Sequence, residues 1–527
     1  MKRRDFLKVS SPLIALPLVL GGFPVHALGR SRLLDPLWRL LATTDRVLVL
    51  IQLNGGNDGI NTVIPLDQLS TYHQLRPQIA LPDSTLIRIT DEAALHPAMS
   101  GIQRMFADGM VAIVQGVAYP NTNLSHFRST DIWMTASDYN QYLATGWMGR
   151  YLDTLYPNYP TGYPNSTAPD PPAVQIGAIM ALALQGPLAS MGLALQDPQT
   201  FYDIINGTNT SVRGDIPDTQ PGHELAYLRQ VELTSQQYST SIKSAADKAQ
   251  NKATYPSNNT LADQLKIVAR LIAGGLQSRV YLVSLGGFDT HAAQVDTTDT
   301  TQGAHATLLG RLSDAVVAFF DDLRQLGVAD RVVAMTFSEF GRRVASNASY
   351  GTDHGTAAPM FVFGTHVVPG IRGTNPSLTE LDRNGNLLMQ YDFRQVYSSI
   401  LAQWYGADDA TLRQVMLKDF QTIPIIRSST TTSVEESPTA TGSPLTISPN
   451  PAAAGQTLRL AFTIPAPGDV VVEFHDGIGR SAAQFSLGTM DAGTHQISIP
   501  VPSVAKGTLV CSLRAGNTIM HSRVIVE

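Results

Sequence analysis

Short, continuous apolar runs alternate with helix-patterned stretches through most of this chain, and that alternation leaves few folds open. The runs are Arg46 to Leu53, Met110 to Val117, Arg279 to Leu285, Arg331 to Phe337 and Met360 to Gly364. Between several of them lie Ala98 to Asp108, Leu261 to Gln277, His305 to Leu326 and Phe393 to Tyr405. Leu308, Leu309, Leu312, Val316, Phe319, Phe320 and Leu323 recur at the spacing of one helical face. Strands without polar alternation are buried on both faces, so the pattern predicts a largely parallel α/β sheet covered by helices on each side.

The rhythm breaks at a Ser/Thr-rich segment, residues 426–444, which reads as a linker. Beyond it, residues 445–527 alternate apolar and polar side chains in short runs, from Leu458–Ile464 to Met520–Val526, separated by Gly turns such as Asp476-Gly477. Six or seven strands of a small all-β sandwich are expected there. Balanced charge, 37 Lys+Arg against 43 Asp+Glu, argues against a nucleic-acid binder. The single cysteine, Cys511, excludes an intrachain disulfide and any Cys-rich metal site. Whatever chemistry the chain performs must use Asp, Glu, His, Ser, Thr or Asn, and no organic cofactor motif is evident.

The N-terminus reads as an export address. A basic start, an apolar stretch from Pro12 to Phe23 and Val25-His26-Ala27 give the three parts of a signal peptide, residues 1–27. Arg3-Arg4-Asp5-Phe6-Leu7-Lys8 resembles a twin-arginine signal. No later segment reaches transmembrane length, so the mature chain is expected to be exported without a membrane span.

In an open α/β sheet ligands bind beyond the carboxyl ends of the strands, which makes the residues after each run informative. The first run leads into Asn54-Gly55-Gly56-Asn57-Asp58-Gly59-Ile60-Asn61-Thr62, and the second into a loop with Ser125, His126 and Arg128. The third is followed by Asp289 and His291, the fourth by Ser338-Glu339-Phe340, and Asp353-His354 precede the fifth. Asn-Gly and Asp-Gly are also ordinary turn formers, and Ser125 could be a helix cap. Taken together, two histidines each within two residues of an Asp, with Glu339, make a donor set for a divalent ion such as zinc, manganese or calcium. Such an ion would offset charge on a phosphoryl or sulfuryl oxygen. Ser125, at the start of a helix-like stretch, is the best placed nucleophile, with Thr62 a second candidate and Arg128 a holder of an anionic oxygen. A competing arrangement makes His126 the ligand and Ser125 a cap.

Leu53-Asn-Gly-Gly-Asn-Asp-Gly59, Leu124-Ser-His-Phe-Arg128, Gly287-Phe-Asp-Thr-His291, Thr336-Phe-Ser-Glu-Phe-Gly-Arg342 and Gly351-Thr-Asp-His-Gly355 together resemble the motifs of the bacterial family known as domain of unknown function 1501, over residues 45–425. That family is grouped with the alkaline phosphatases and sulfatases. The resemblance therefore implies an alkaline phosphatase-like α/β/α sandwich and metal-dependent hydrolysis of phosphate or sulfate esters. It implies Asp289, His291, Glu339 and His354 near the metal, with Asp353, Asn54, Asp58 and His126 as further candidates. Phe340 replaces a ligand histidine of the wider superfamily, and Asn54 replaces an aspartate. These losses favour the alternative, a non-catalytic surface scaffold or polysaccharide-binding protein on the same fold. Residues 445–527 resemble a type IX secretion sorting domain, with Ser448-Pro-Asn-Pro451 at its start. The expected partners are then secretion machinery at both termini and a surface polysaccharide or anionic ester, with passage through the periplasm to the cell surface or medium.

Overall fold

The computed structural model describes residues 45–207, 220–427 and 445–526, except 451, 454–455, 465, 476–480, 502–506 and 516–517. The expected signal peptide, nearly all of the expected linker and the Asp476-Gly477 turn lie outside the described residues. The chain divides into two compact units, one spanning Thr44–Ser429 and the other containing the C-terminal strands.

The larger unit is built on a nine-stranded sheet. In chain order its strands are β1 (Val47–Asn54), β2 (Val111–Ala118), β3 (Ala173–Ile176), β4 (Gly192–Leu195), β5 (Val280–Gly286), β6 (Val332–Phe337), β7 (Ala358–Phe363), β8 (Gly370–Arg372) and β9 (Tyr391–Asp392). Across the sheet they run β8-β2-β7-β6-β1-β5-β3-β4, with β9 also beside β2. Every pairing is parallel except those of β7, which runs antiparallel to both β2 and β6. The reversal has a consequence for the site. The loop that precedes β7 emerges at the same edge as the loops that follow β1, β2, β5 and β6.

Helices α1 (Ser100–Ala107), α2 (His126–Thr135), α3 (Trp147–Leu155), α4 (Thr260–Ala273), α5 (Ala304–Gln325) and α6 (Phe393–Ser399) cover the sheet. β1, β2 and β6 are buried almost throughout, which a sheet achieves only with cover on both faces. α1, α4 and α5 pack as one group, while α3 and α6 pack on a further helix, Asp409–Met416. Aromatic stacks lock the second group: Trp133 of α2 lies 4.4 Å from Phe393, and Trp147 of α3 lies 4.1 Å from Tyr397. The result is the α/β/α sandwich that the strand pattern and the family resemblance led us to expect. The short strands β3, β4, β8 and β9 were not legible as apolar runs, because their two to four residues carry too little apolar surface to stand out.

The C-terminal unit holds seven strands among the described residues, in sheets of three and four strands around a separate core that includes Leu460, Phe462, Val472, Phe474 and buried Cys511. No helix among the described residues is long and apolar enough to cross a membrane.

Two buried histidines make the larger unit acid-sensitive. Burial is the main cause that pushes His96 down to about 3 and His305 down to about 4, against an ordinary histidine near 6.5. The unfolded chain takes up these protons first, so their stabilisation is present above about pH 6.5 and is lost as pH falls toward the folded values. The urea midpoint should be level from pH 7 to 8 and fall between pH 6 and 4. A midpoint that stays level to pH 4 contradicts this.

Candidate metal centre

Two glycines allow the loops to meet. Gly55 has φ +124°, and a Cβ there would stand 2.3 Å from the amide nitrogen of Asp289. Gly56 has φ +79°, and its Cβ would fall 2.5 Å from the Phe340 ring. A side chain at either position would force the β1 loop away from the loops that follow β5 and β6.

Three imidazoles converge where these loops meet, and each is held at its Nδ1. His126, first residue of α2, has Nδ1 2.7 Å from Glu339 Oε1. His354 has Nδ1 2.7 Å from the carbonyl of Leu124, which can only accept, so Nδ1 carries the hydrogen. His291 has Nδ1 3.4 Å from Asp353 Oδ1. This leaves the Nε2 atoms facing one carboxylate oxygen. Asp289 Oδ1 lies 3.4 Å from Nε2 of His126, 3.3 Å from that of His291 and 3.5 Å from that of His354.

Those separations fit a metal ion. Tetrahedral coordination with bonds of about 2.0–2.1 Å places neighbouring donors about 3.3–3.4 Å apart. Nε2 of His126 is buried and has no hydrogen-bond partner. Nε2 of His291 and His354 stand 2.8 Å apart, so either His291 donates to the Nε2 of His354 or a cation lies between them. Burial is the main cause that lowers His354, with the neighbouring Arg342, His126 and His291 adding to it, so its Nε2 is a lone-pair donor at neutral pH. The donor atoms that come within sharing reach of one another belong to His126, His354 and Asp289, a set that fits a divalent ion with one position left open, and His291 stands beside it.

Arg342 and Phe340 build the wall behind these donors. The buried Arg342 guanidinium donates to the carbonyls of Gly55, Gly56 (2.8 Å), Phe288 (3.1 Å) and Thr352 (2.9 Å) and to Asp289 Oδ1 (2.7 Å). Burial works to raise the Asp289 carboxyl, but Arg342 and the imidazoles outweigh it and hold the group below its usual range. The Phe340 ring lies 4.8 Å from that of His126 and 4.6 Å from that of His354. Ala293 and Tyr350, at φ 49° and 57°, flank the turn that presents His291, and such non-glycine conformations cost on the order of 1–3 kcal/mol each.

Of the residues expected near the metal, Asp289 and His354 come within sharing reach together with His126, while His291 stands beside His354. Glu339 is a correction: it is buried one layer back, accepting from the Gly55 amide at 3.0 Å and engaging His126 Nδ1, so it orients a ligand. Asp353 also stands behind, where a hydrogen bond from Asn347 is the main cause that lowers its carboxyl. Asp58 is not a ligand, because it is fully buried in an ion pair with Arg76 at 2.6 Å. Thr62 is no nucleophile: its buried hydroxyl donates to the Asp58 carbonyl at 2.7 Å. Arg128 donates through Nη2 to the carbonyls of Asp138, Tyr139 and Gln141, while its buried Nε has no hydrogen-bond partner. Asn54 is exposed at the strand end, with its carbonyl accepting from the Phe288 amide. Ser125 is exposed and precedes α2, yet its hydroxyl makes no capping bond.

Second-layer bonds of this kind tune metal affinity. Glu339→Gln should weaken binding of a divalent ion about 10–100-fold by equilibrium dialysis. An unchanged affinity contradicts the orienting role.

A family model described as "Protein of unknown function (DUF1501)" matches residues 45–416. The chain belongs to the DUF1501 family. No curated protein matches its sequence. Among solved structures, this DUF1501 chain is similar to a protein in the alkaline phosphatase superfamily from Vibrio parahaemolyticus, at 7% identity over 92% of this chain and 82% of that one, with a TM-score of 0.34. A Bacteroides thetaiotaomicron protein, described with the metabolism of multiple glycosaminoglycans, matches at 8% identity over 84% and 90% of the two chains, TM-score 0.36. The sulfatase PsFucS1 of Pseudoalteromonas sp. matches at 10% identity over 88% and 86%, TM-score 0.32.

Proposed function

We propose that this DUF1501 protein is an exported, metal-dependent hydrolase of phosphate or sulfate esters. The observation that carries the proposal is the convergence of three imidazole Nε2 atoms on Asp289 Oδ1, one residue from the uncommitted hydroxyl of Ser125. A bound divalent ion would offset the charge that develops on the ester's oxygens. The nitrogen-rich donor set favours zinc over calcium, which takes oxygen ligands. Glu339, Asp353 and the Leu124 carbonyl hold the imidazoles in orientation. Ser125, exposed and next to His126 in the chain, is the nucleophile of this reading, and the positive end of α2 favours the anionic form of its hydroxyl and of the substrate. The signal-like N-terminus and the sorting-domain resemblance of the C-terminal unit support a route through the periplasm to the cell surface or medium.

The test is turnover of 4-nitrophenyl phosphate and 4-nitrophenyl sulfate by the full mature chain. Turnover that a chelator removes and zinc or manganese restores is expected. A metal-loaded protein inactive on both esters overturns the proposal. One observation favours the second reading, a non-catalytic surface or polysaccharide-binding protein: Arg342 already occupies the Asp289 oxygen that the imidazoles face. Metal binding with no ester turnover is its expected signature.

A further inference from the structure

Gln294 is fully buried, and its side-chain amide joins the loop that follows β1, the loop that follows β5 and the loop that precedes β7. Nε2 donates to Asp58 Oδ2 at 2.6 Å, while Oε1 accepts from the hydroxyls of Thr290 at 3.0 Å and Thr352 at 2.7 Å. The partners settle which way the amide faces. Asp58, ion-paired with Arg76, offers only acceptors, so the nitrogen meets it and the oxygen is left for the two hydroxyls. Both hydroxyls stand beside metal donors in the chain: Thr290 follows Asp289 directly, and Thr352 lies two residues before His354. The Thr352 amide also donates to the Thr290 carbonyl at 3.2 Å. Its carbonyl accepts from Arg342 Nη1 at 2.9 Å, and Nη2 of the same guanidinium donates to Asp289 Oδ1 at 2.7 Å. The Gln294 backbone amide donates to the Tyr350 carbonyl at 2.8 Å, which ties down the two residues at positive φ, Ala293 and Tyr350. Such conformations persist where surrounding contacts over-determine them.

We propose that Gln294 is a positioning residue of the metal centre, acting through Thr290 and Thr352 to fix the spacing between Asp289 and His354. The proposal rests on the metal-centre part of the hydrolase reading and requires no turnover. A buried amide is a costly way to fill space, since an apolar side chain of similar volume would need no polar partners. What the amide supplies is rigidity. Asp289 and His354 sit on different loops, and they keep the separation an ion requires only when those loops are tied to each other. The two threonine hydroxyls meeting on one buried oxygen are that tie, and the bond to Asp58 anchors the oxygen's own amide to the loop that follows β1.

Zinc affinity of the full mature chain by equilibrium dialysis, read together with the visible spectrum of the cobalt(II)-loaded protein, tests this. Thr352→Val replaces the hydroxyl by a methyl group of similar size, and Thr352→Ser keeps the hydroxyl. Gln294→Met and Thr352→Val are expected to bind zinc about tenfold or more weakly and to show an altered cobalt band, while Thr352→Ser stays within about threefold of the wild type and keeps its band. Should Gln294→Met fail to fold, the two Thr352 variants decide. A purely structural role would lower melting temperatures and leave affinity and spectrum of the folded protein unchanged, and that result overturns the proposal. A serine variant as weak as the valine one overturns it too. A wild type that binds no zinc overturns it along with the metal centre. Weakened zinc binding in the variants of a protein that turns over no ester supports the positioning role and fails only the hydrolase reading.

Discussion

His126→Ala is expected to abolish stoichiometric binding of a divalent ion and, with it, any metal-dependent ester hydrolysis. His126 supplies the donor whose buried Nε2 has no other partner, and its Nδ1 is held at 2.7 Å by Glu339. Removing it leaves only His354 and Asp289 of the three donors that lie within sharing reach of one another. The loss should exceed the roughly 10–100-fold of a second-layer change such as Glu339→Gln. Asp289→Ala should also lose the metal, with an added cost to stability because Arg342 would keep its buried charge without the carboxylate. The measurement is metal per chain after dialysis, together with the melting temperature with and without chelator. His126→Ala should melt at the same temperature in both conditions. A variant that retains a full complement of metal contradicts the assignment of His126.

Asp58→Ala is expected to destabilise the larger unit by about 3–5 kcal/mol, the usual cost of leaving one partner of a buried ion pair alone. Asp58 Oδ2 accepts from Arg76 and from Gln294 Nε2, each at 2.6 Å. Arg76 is itself fully buried and also donates to Asn61 Oδ1 (3.0 Å) and to the carbonyls of Val344 (2.8 Å) and Arg343 (2.7 Å). Truncating the carboxylate removes the only negative partner of that guanidinium among the described residues. Burial works to raise the Asp58 carboxyl, but the charges of Arg76 and His305 and the bonds from Arg76 and Gln294 outweigh it, so its folded pKa is lowered. The stabilisation is thus present above the ordinary carboxylate range near 3.9 and is lost as pH falls through the folded value. Urea unfolding at pH 7 reads the effect. A change below about 1 kcal/mol would mean that solvent reaches Arg76 and compensates.

How far this was legible in the sequence depended on what each residue had to announce. Strand and helix rhythm was legible because β1, β5 and β6 are buried on both faces and cannot hide their composition. The direction of β7 was not, since an apolar run has no sign, and only the pairing with β2 and β6 shows that His354 arrives at the ligand edge from the opposite sense. Asp and His at loop positions could be named as candidates, but residue type does not separate ligands from supports. Asp58 and Asp289 look alike in sequence, and burial against Arg76 makes one a structural anion while the other is half exposed. Glu339 belongs to the same class of ambiguity. Arg342 and Phe340 carried no metal signal at all. Their roles arise from contacts across loops far apart in the chain, such as Arg342 with the Gly56 carbonyl.

The central claim is a metal centre made by His126, His354 and Asp289, with His291 beside it. Elemental analysis of the mature protein, purified without added metal or chelator, tests it most directly when paired with thermal unfolding before and after chelation. The structure predicts close to one zinc or manganese ion per chain and a lower melting temperature once the ion is removed. Substoichiometric metal, with a melting temperature that chelation does not change, would contradict it.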